Sequence, residues 1–448
     1  MKDFTTGSIS KPLIAFAAPM IIGNLFQQLY SIVDAIIVGR FVGGGALAAV
    51  GISMSVLMLL IAMLIGLTTG AAVVIAQFYG AKQYDKLNSS VSVSIIFLAG
   101  LSVVLTILGI IFAPSLLRVL NTDPEIFDDA LTYLRIMLCG VVFTVFYNMY
   151  TSYLRALGDS RRPLYILIFT VVLSGVLTLY LVIIRGMGVM GAAASSVFAQ
   201  FLAMVLCYLY SRRYAPLLIV KKLSFDYERF RMIIKYGAPA ALQMSFVSLA
   251  AFLITRLINS FGPAAMAGIT AVTRIDALAI MPIATLSMAM STFVAQNMGA
   301  GLEERARKCF RITLVYMVLF AVGLSIVLML FAPQLISLFL DQGDASSPEI
   351  LRIGTNYLNV IVMFYFLFAI LFAFNGFFRG VGDATIAMVF PVISLTIRTL
   401  SAYGMVSVLN MGPEALAWSM PIGWVISGAA SLVYYKKRLW AGKVATQQ

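Results

Sequence analysis

The sequence predicts an all-α integral membrane protein. Twelve transmembrane helices are expected, in two six-helix bundles related by a pseudo-twofold along the membrane normal. Three observations carry this. The 448 residues are 61% hydrophobic and only 11% charged, whereas a soluble domain averages roughly 45–50% apolar and about 25% charged. The apolar residues gather into twelve long runs. The second half of the chain repeats the first, motif by motif.

Cutting the runs at charged or turn-rich breaks places helices over 12–38, 46–78, 88–112, 131–153, 163–185, 190–210, 233–258, 265–296, 309–332, 353–376, 386–409 and 414–435. Each is close to or above the roughly 20 residues that span a bilayer. Continuous runs, rather than ten-residue alternations, select helices over barrel strands. No A-x-A-like cleavage site follows a short apolar region after Lys2 and Lys11, so the first run reads as a retained helix.

With the N-terminus inside, the inner loops and tails collect most of the 31 basic residues. These include Lys82 and Lys86, Arg155, Arg161 and Arg162, the cluster from Arg212 to Lys235, Arg305 to Arg311, Arg379, and Lys436 to Lys443. The outer loops hold mainly Arg40, Arg118, Arg185 and Arg352. This bias puts both termini in the cytoplasm of a multi-pass protein of the cell (inner or plasma) membrane. The net charge of +13 then reads as a topology signal with some attraction for anionic lipid. The expected partners are the bilayer and a small amphipathic molecule, with no nucleic acid, and the chain is expected to be a monomer.

The longest inner loop, 211–232, separates an N-terminal bundle (1–210) from a C-terminal one (233–448). Ala18-Pro19 matches Ala238-Pro239, Gln77 with Gly80-Ala81 matches Gln296 with Gly299-Ala300, and Phe112-Ala113-Pro114 matches Phe331-Ala332-Pro333. Further on, Pro124-Glu125-Ile126 matches Pro348-Glu349-Ile350, Tyr133-Leu134 matches Tyr357-Leu358, and Met187-Gly188 matches Met411-Gly412. Arg155-Ala156-Leu157-Gly158-Asp159 answers Arg379-Gly380-Val381-Gly382-Asp383. Matches in this order mark an internal repeat. An even number of helices per copy inserts both copies the same way up, as in the parallel class of transporter repeats.

Enzyme chemistry finds little purchase. There is no histidine, and Cys139, Cys207 and Cys309 are scattered, so neither a disulfide framework nor a Cys- or His-based metal site is expected. No phosphate-binding G-x-x-x-x-G-K-[ST] loop appears. No catalytic residue, metal or cofactor is therefore assigned.

The segment Gln27-Gln28-Leu29-Tyr30-Ser31-Ile32-Val33-Asp34 through Val38-Gly39-Arg40, followed by Ala46-Leu47-Ala48-Ala49-Val50-Gly51, resembles the multidrug and toxic compound extrusion (MATE) family, prokaryotic type. Both Arg-x-x-Gly-Asp loops, Gly188-Val189-Met190-Gly191-Ala192-Ala193 and Ala295-Gln296-Asn297 extend the likeness over essentially the whole chain. The resemblance implies twelve helices in two bundles. It also implies efflux of amphipathic, often cationic compounds in exchange for H⁺ or Na⁺. A flippase or exporter of lipid-linked or anionic metabolites, within the same superfamily, is the alternative.

Asp34 is the sharpest single feature, because a charge inside an apolar helix costs at least about 2.5–3.5 kcal/mol on insertion scales. Ser174 and Thr178, one turn apart in the fifth run, and Ser196 in the sixth fall at a similar depth, about 6–11 Å below the assigned outer ends. These four residues are the candidate cation-coupling set, with small-residue helix packing as the plainer reading of the hydroxyls. The resemblance implies Asn and Asp at the places of Ser174 and Thr178, and Thr at that of Ser196. The chain lacks that second acid, which favours H⁺ over Na⁺ as the coupling ion. Family members that bind sodium in the second half use acids that are missing here from 233–258 and 353–376. Gln27, Tyr30, Asn148, Gln200, Gln243, Arg274, Asp276, Asn375 and Arg398 are candidates to line the substrate cavity. Asp276 is expected to pair across helices with Arg398, and Arg256 to snorkel near an outer end. Pro19 and Pro239 would let their helices bend.

Overall fold

The computed structural model describes residues 2–340 and 347–447, which form helices and connecting turns with no strand among them. Among the described residues, ten helices are long and apolar enough to cross a membrane. They are α1 (Ser10–Phe41), α2 (Gly44–Gly80), α3 (Tyr84–Val119), α6 (Arg161–Leu179), α7 (Gly188–Tyr214), α8 (Tyr227–Asn259), α9 (Pro263–Gly299), α10 (Glu303–Ser337), α13 (Ala384–Ser407) and α14 (Glu414–Lys436). A π-helical turn, Tyr180–Ile184, extends α6. The other two spans are bent pairs. Helices α4 (Pro124–Cys139) and α5 (Val141–Ala156) meet at 45°, and α11 (Ser347–Met363) and α12 (Tyr365–Val381) at 50°. Counting each pair once gives twelve spans.

The two breaks correct the sequence expectation of continuous helices over 131–153 and 353–376. Apolar periodicity has no signal for a bend whose freed carbonyls are capped by another helix. Here the Thr106 hydroxyl of α3 donates to the Leu138 carbonyl at 3.0 Å. The Ser325 hydroxyl of α10 donates to the Val362 carbonyl at 2.5 Å. In hydrocarbon an uncapped carbonyl has no water to turn to, so a neighbouring hydroxyl is what makes the bend tolerable. The repeat extends to these caps, since Thr106 and Ser325 keep the 219-residue offset of the Phe-Ala-Pro pair, and Leu138 and Val362 the 224-residue offset of the Tyr-Leu pair.

The chain divides into two compact units, Met1–Thr6 with Ile14–Ala241 and Gly7–Leu13 with Leu242–Gln448. The division falls inside α8, and the short N-terminal stretch Gly7–Leu13 clusters with the later half. Between α7 and α8 only residues 215–226 lie outside the long helices. They are tied to the start of α3, because Asn88 donates to the Leu217 and Ile219 carbonyls and Ser92 donates to Ser224 O at 2.8 Å.

In the first unit, α2 packs on α3, α4 and α5, and α7 on α4, α5 and α6. In the second, α9 packs on α10, α11 and α12, and α13 on α14. Leu29, Ile32, Val33 and Ile36 on α1 are exposed. Each unit also ties its fourth span to its last one. Tyr210 donates to the Asp159 carboxylate at 2.8 Å and Tyr434 to that of Asp383 at 2.5 Å. Gly158 (φ +83°) and Gly382 (φ +103°) make the left-handed turns that present those carboxylates.

Close backbone approach explains two glycines. A Cβ on Gly70 would lie 2.4 Å from the Gly237 Cα, and one on Gly380 2.6 Å from the Ser291 carbonyl oxygen. Gly70→Ala and Gly380→Ala are expected to cost about 1–3 kcal/mol each through overpacking. Gly428→Ala, with open space at that point, is expected to be near neutral. Thermal unfolding of the purified variants in detergent measures the contrast.

Candidate functional site

The first unit gathers a polar cluster from four helices. Tyr30 and Asp34 stand one turn apart on the same face of α1. Asp34 is only 8% exposed, although its apolar neighbours Val33 and Ile36 are open to the surroundings. Helix α6 contributes Ser174 and Thr178, α7 contributes Ser195 and Ser196, and α4 contributes Tyr133. The Tyr30 hydroxyl lies 2.7 Å from the Ser174 hydroxyl and 3.3 Å from that of Ser196. Thr178 and Ser195 share a hydrogen bond of 2.6 Å, and Thr178 is also a near neighbour of the Asp34 carboxylate. Tyr133 lies within electrostatic range of both Asp34 and Tyr30.

Three polar atoms here are buried without a partner: Asp34 Oδ1, the Tyr133 hydroxyl and Gln200 Oε1. An orphaned buried carboxylate oxygen is costly, so it is a natural landing point for a proton, a cation or a water molecule. Beside the cluster lies a cavity of about 90 Å³, lined in part by Gln27, Tyr30, Tyr147, Ser174, Ser196 and Gln200. At about 30 Å³ per molecule it has room for roughly three waters. Asn148 sits elsewhere and donates to the Thr144 carbonyl of its own helix at 2.8 Å.

The four residues singled out as cation-coupling candidates thus fall together, with Gln27, Tyr30 and Gln200 alongside. Tyr133 and Ser195 were not singled out. Tyr133 had a signal in the sequence, as half of the Tyr-Leu pair repeated at Tyr357. Ser195 had none, because two adjacent serines on a helix look alike until a neighbouring helix selects one of them.

The second unit is different. Tyr365 donates to Asp276 Oδ1 at 2.5 Å. Arg398 lies within electrostatic range of Asp276 and of Tyr357. Among the described residues no ion pair within 4.0 Å joins Asp276 to Arg398, and Arg398 Nε is buried without a partner. The expected ion pair is therefore replaced by a tyrosine–carboxylate bond, since Tyr365 from α12 reaches the carboxylate directly. Arg256 and Arg274 are exposed and Gln243 is half-buried. Asn375 is engaged locally, donating to the Ala387 carbonyl at 2.5 Å and accepting from Arg379 at 2.9 Å. Among the described residues no group of three or more Cys, Asp or Glu is placed to hold a metal ion.

Twelve apolar spans and a buried polar cluster in the first unit mark a multi-pass membrane protein. The chain belongs to the MatE family, whose model matches residues 19–181 and again 239–403, once in each half. It is 28% identical to the probable multidrug resistance protein YpnP of Bacillus subtilis over 100% of this chain and 99% of that protein. It is 25% identical, over 96% of both chains, to a protein of Shewanella oneidensis named FAD transporter. Among solved structures it resembles the outward-facing conformation of a multidrug resistance MATE family transporter, with a TM-score of 0.91 at 24% identity over 98% of both chains, which shows the shared fold. The family is one of multidrug efflux transporters, not enzymes.

Tyr30→Phe removes a hydroxyl with two partners and is expected to cost about 1 kcal/mol, while Tyr133→Phe removes one with none and is expected to be neutral or stabilising. Thermal unfolding of both variants, purified without cargo, tests the pairing. An equal loss for the two would mean that the Tyr133 hydroxyl has a partner after all.

Proposed function

We propose that the protein exports amphipathic, chiefly cationic compounds by antiport against a cation, and that Asp34 couples the two fluxes. The observation that carries this reading is the Asp34 carboxylate, nearly buried in a membrane-spanning helix with Oδ1 unpartnered among hydroxyls from α4, α6 and α7. A membrane-embedded carboxylate is costly, and functional by default. The donor set favours H⁺: one carboxylate accepts a proton unaided, whereas Na⁺ prefers more oxygen ligands than a carboxylate and a few hydroxyls supply. Na⁺ remains the alternative ion. Protonation from outside neutralises Asp34 and changes how α1 packs, which releases cargo and permits the return step of alternating access.

The excess of basic residues at predicted inner loops supports a cell-membrane protein with both termini in the cytoplasm. A second reading has its own support. Arg398 with its orphaned Nε, Arg274 nearby in sequence to Asp276, and a relative named FAD transporter fit an anionic cargo.

Vesicles carrying the purified protein, given a pH gradient or a sodium gradient separately, test both readings. Efflux of a cationic dye driven by the pH gradient and reduced at least about tenfold by Asp34→Asn is the expected result. Full efflux by a membrane-inserted Asp34→Asn protein would sink the role of Asp34. Selective export of a flavin nucleotide, lost on Arg398→Gln, would transfer the case to the anionic reading.

A further inference from the structure

The second unit holds a larger cavity, of about 1060 Å³, that the transport site does not use. Its walls are the N-terminal stretch Gly7, Ser8, Ile9 and Ser10 and the beginning of α10, Gly301 to Ile312. It lies where α1 and α10 begin, and therefore at one end of their membrane-crossing stretches.

The charges in it are out of balance. Arg305, Arg307, Lys308 and Arg311 line it against only Glu303 and Glu304. Glu303 is already engaged, pairing with Arg307 and with Arg438 at 2.6 Å. Arg305 donates to the Gly7 carbonyl at 2.8 Å, and Arg307 lies over the Trp440 ring at 5.4 Å. Lys308 and Arg311 are exposed and make no ion pair among the described residues. Arg307 Nε is buried without an acceptor.

Position compounds the imbalance. The N-terminal end of a helix carries the positive end of its dipole, where cations are disfavoured and anions welcome. Four cations crowd the first three turns of α10. Helix α1 begins on the same cavity with no acidic residue in its first turn, and its leading N–H groups have no helical acceptor. Two positive helix ends and four basic side chains thus face one cavity.

We propose that this cavity binds a phosphate group, carried by the head group of an anionic phospholipid or by a soluble phosphorylated molecule. Lys308 and Arg311 supply the free charge. Ser8 and Ser10 add hydroxyl donors. Basic pockets between spans at the membrane surface are the setting in which phospholipid head groups are held.

The test uses the full chain in detergent, with native mass spectrometry after addition of phosphatidylglycerol or phosphatidylcholine, and titration with inorganic phosphate in parallel. Preferential retention of phosphatidylglycerol, reduced roughly tenfold or more in Lys308→Gln/Arg311→Gln and kept in the charge-preserving Lys308→Arg/Arg311→Lys, supports the lipid source. Saturable binding of inorganic phosphate with the same variant pattern, and no lipid preference, supports the soluble source. Equal retention of the two lipids with no saturable phosphate binding would overturn the proposal. So would binding untouched by the Gln pair, or lost equally in the charge-preserving pair.

Discussion

Two hydroxyls carry much of this architecture. A helix that bends inside a bilayer exposes carbonyl groups that hydrocarbon cannot satisfy, yet the fourth span of each unit bends by 45° or 50°. Thr106 on the Leu138 carbonyl and Ser325 on the Val362 carbonyl meet that demand from the neighbouring third span. The bend redirects α5 and α12 so that each ends at its Arg-x-x-Gly-Asp turn, where the aspartate accepts a hydrogen bond from a tyrosine of the unit's last helix.

The spans were largely legible in the sequence because hydrocarbon imposes one simple rule, long apolar runs, and composition reports it directly. The repeat was legible for a related reason: turn-forming and helix-ending residues keep their order when a unit is duplicated. The bends were not, because a capping threonine such as Thr106 looks like any small residue in an apolar helix. Of the candidate site, Asp34 stood out through its charge alone, and Ser174, Thr178 and Ser196 through depth and helical spacing. Tyr133 and Ser195 needed packing to identify them, since only the neighbouring helices decide which hydroxyl faces the acid. Asp276 shows the same limit, because charge suggested Arg398 as its mate and the packing supplied Tyr365.

The two units share a scaffold and differ in chemistry. Tyr133 and Tyr357 hold equivalent places in the repeat, but the first lies near a carboxylate with an orphaned oxygen and the second near an arginine with an orphaned nitrogen. Duplication supplied matching frames, and substitution has given their interiors different polar groups.

The stretch Gly7–Leu13 has a consequence for biosynthesis. It precedes the helices of the first unit but clusters with the unit made after them, and Arg305 donates to the Gly7 carbonyl across 298 residues of sequence. The first unit can assemble as it emerges, since its contacts join segments that precede residue 242. This leading stretch must wait unpaired until α10 has been synthesised. Its docking thus comes after the first unit has been made, and a bulky fusion placed ahead of it would be felt there first.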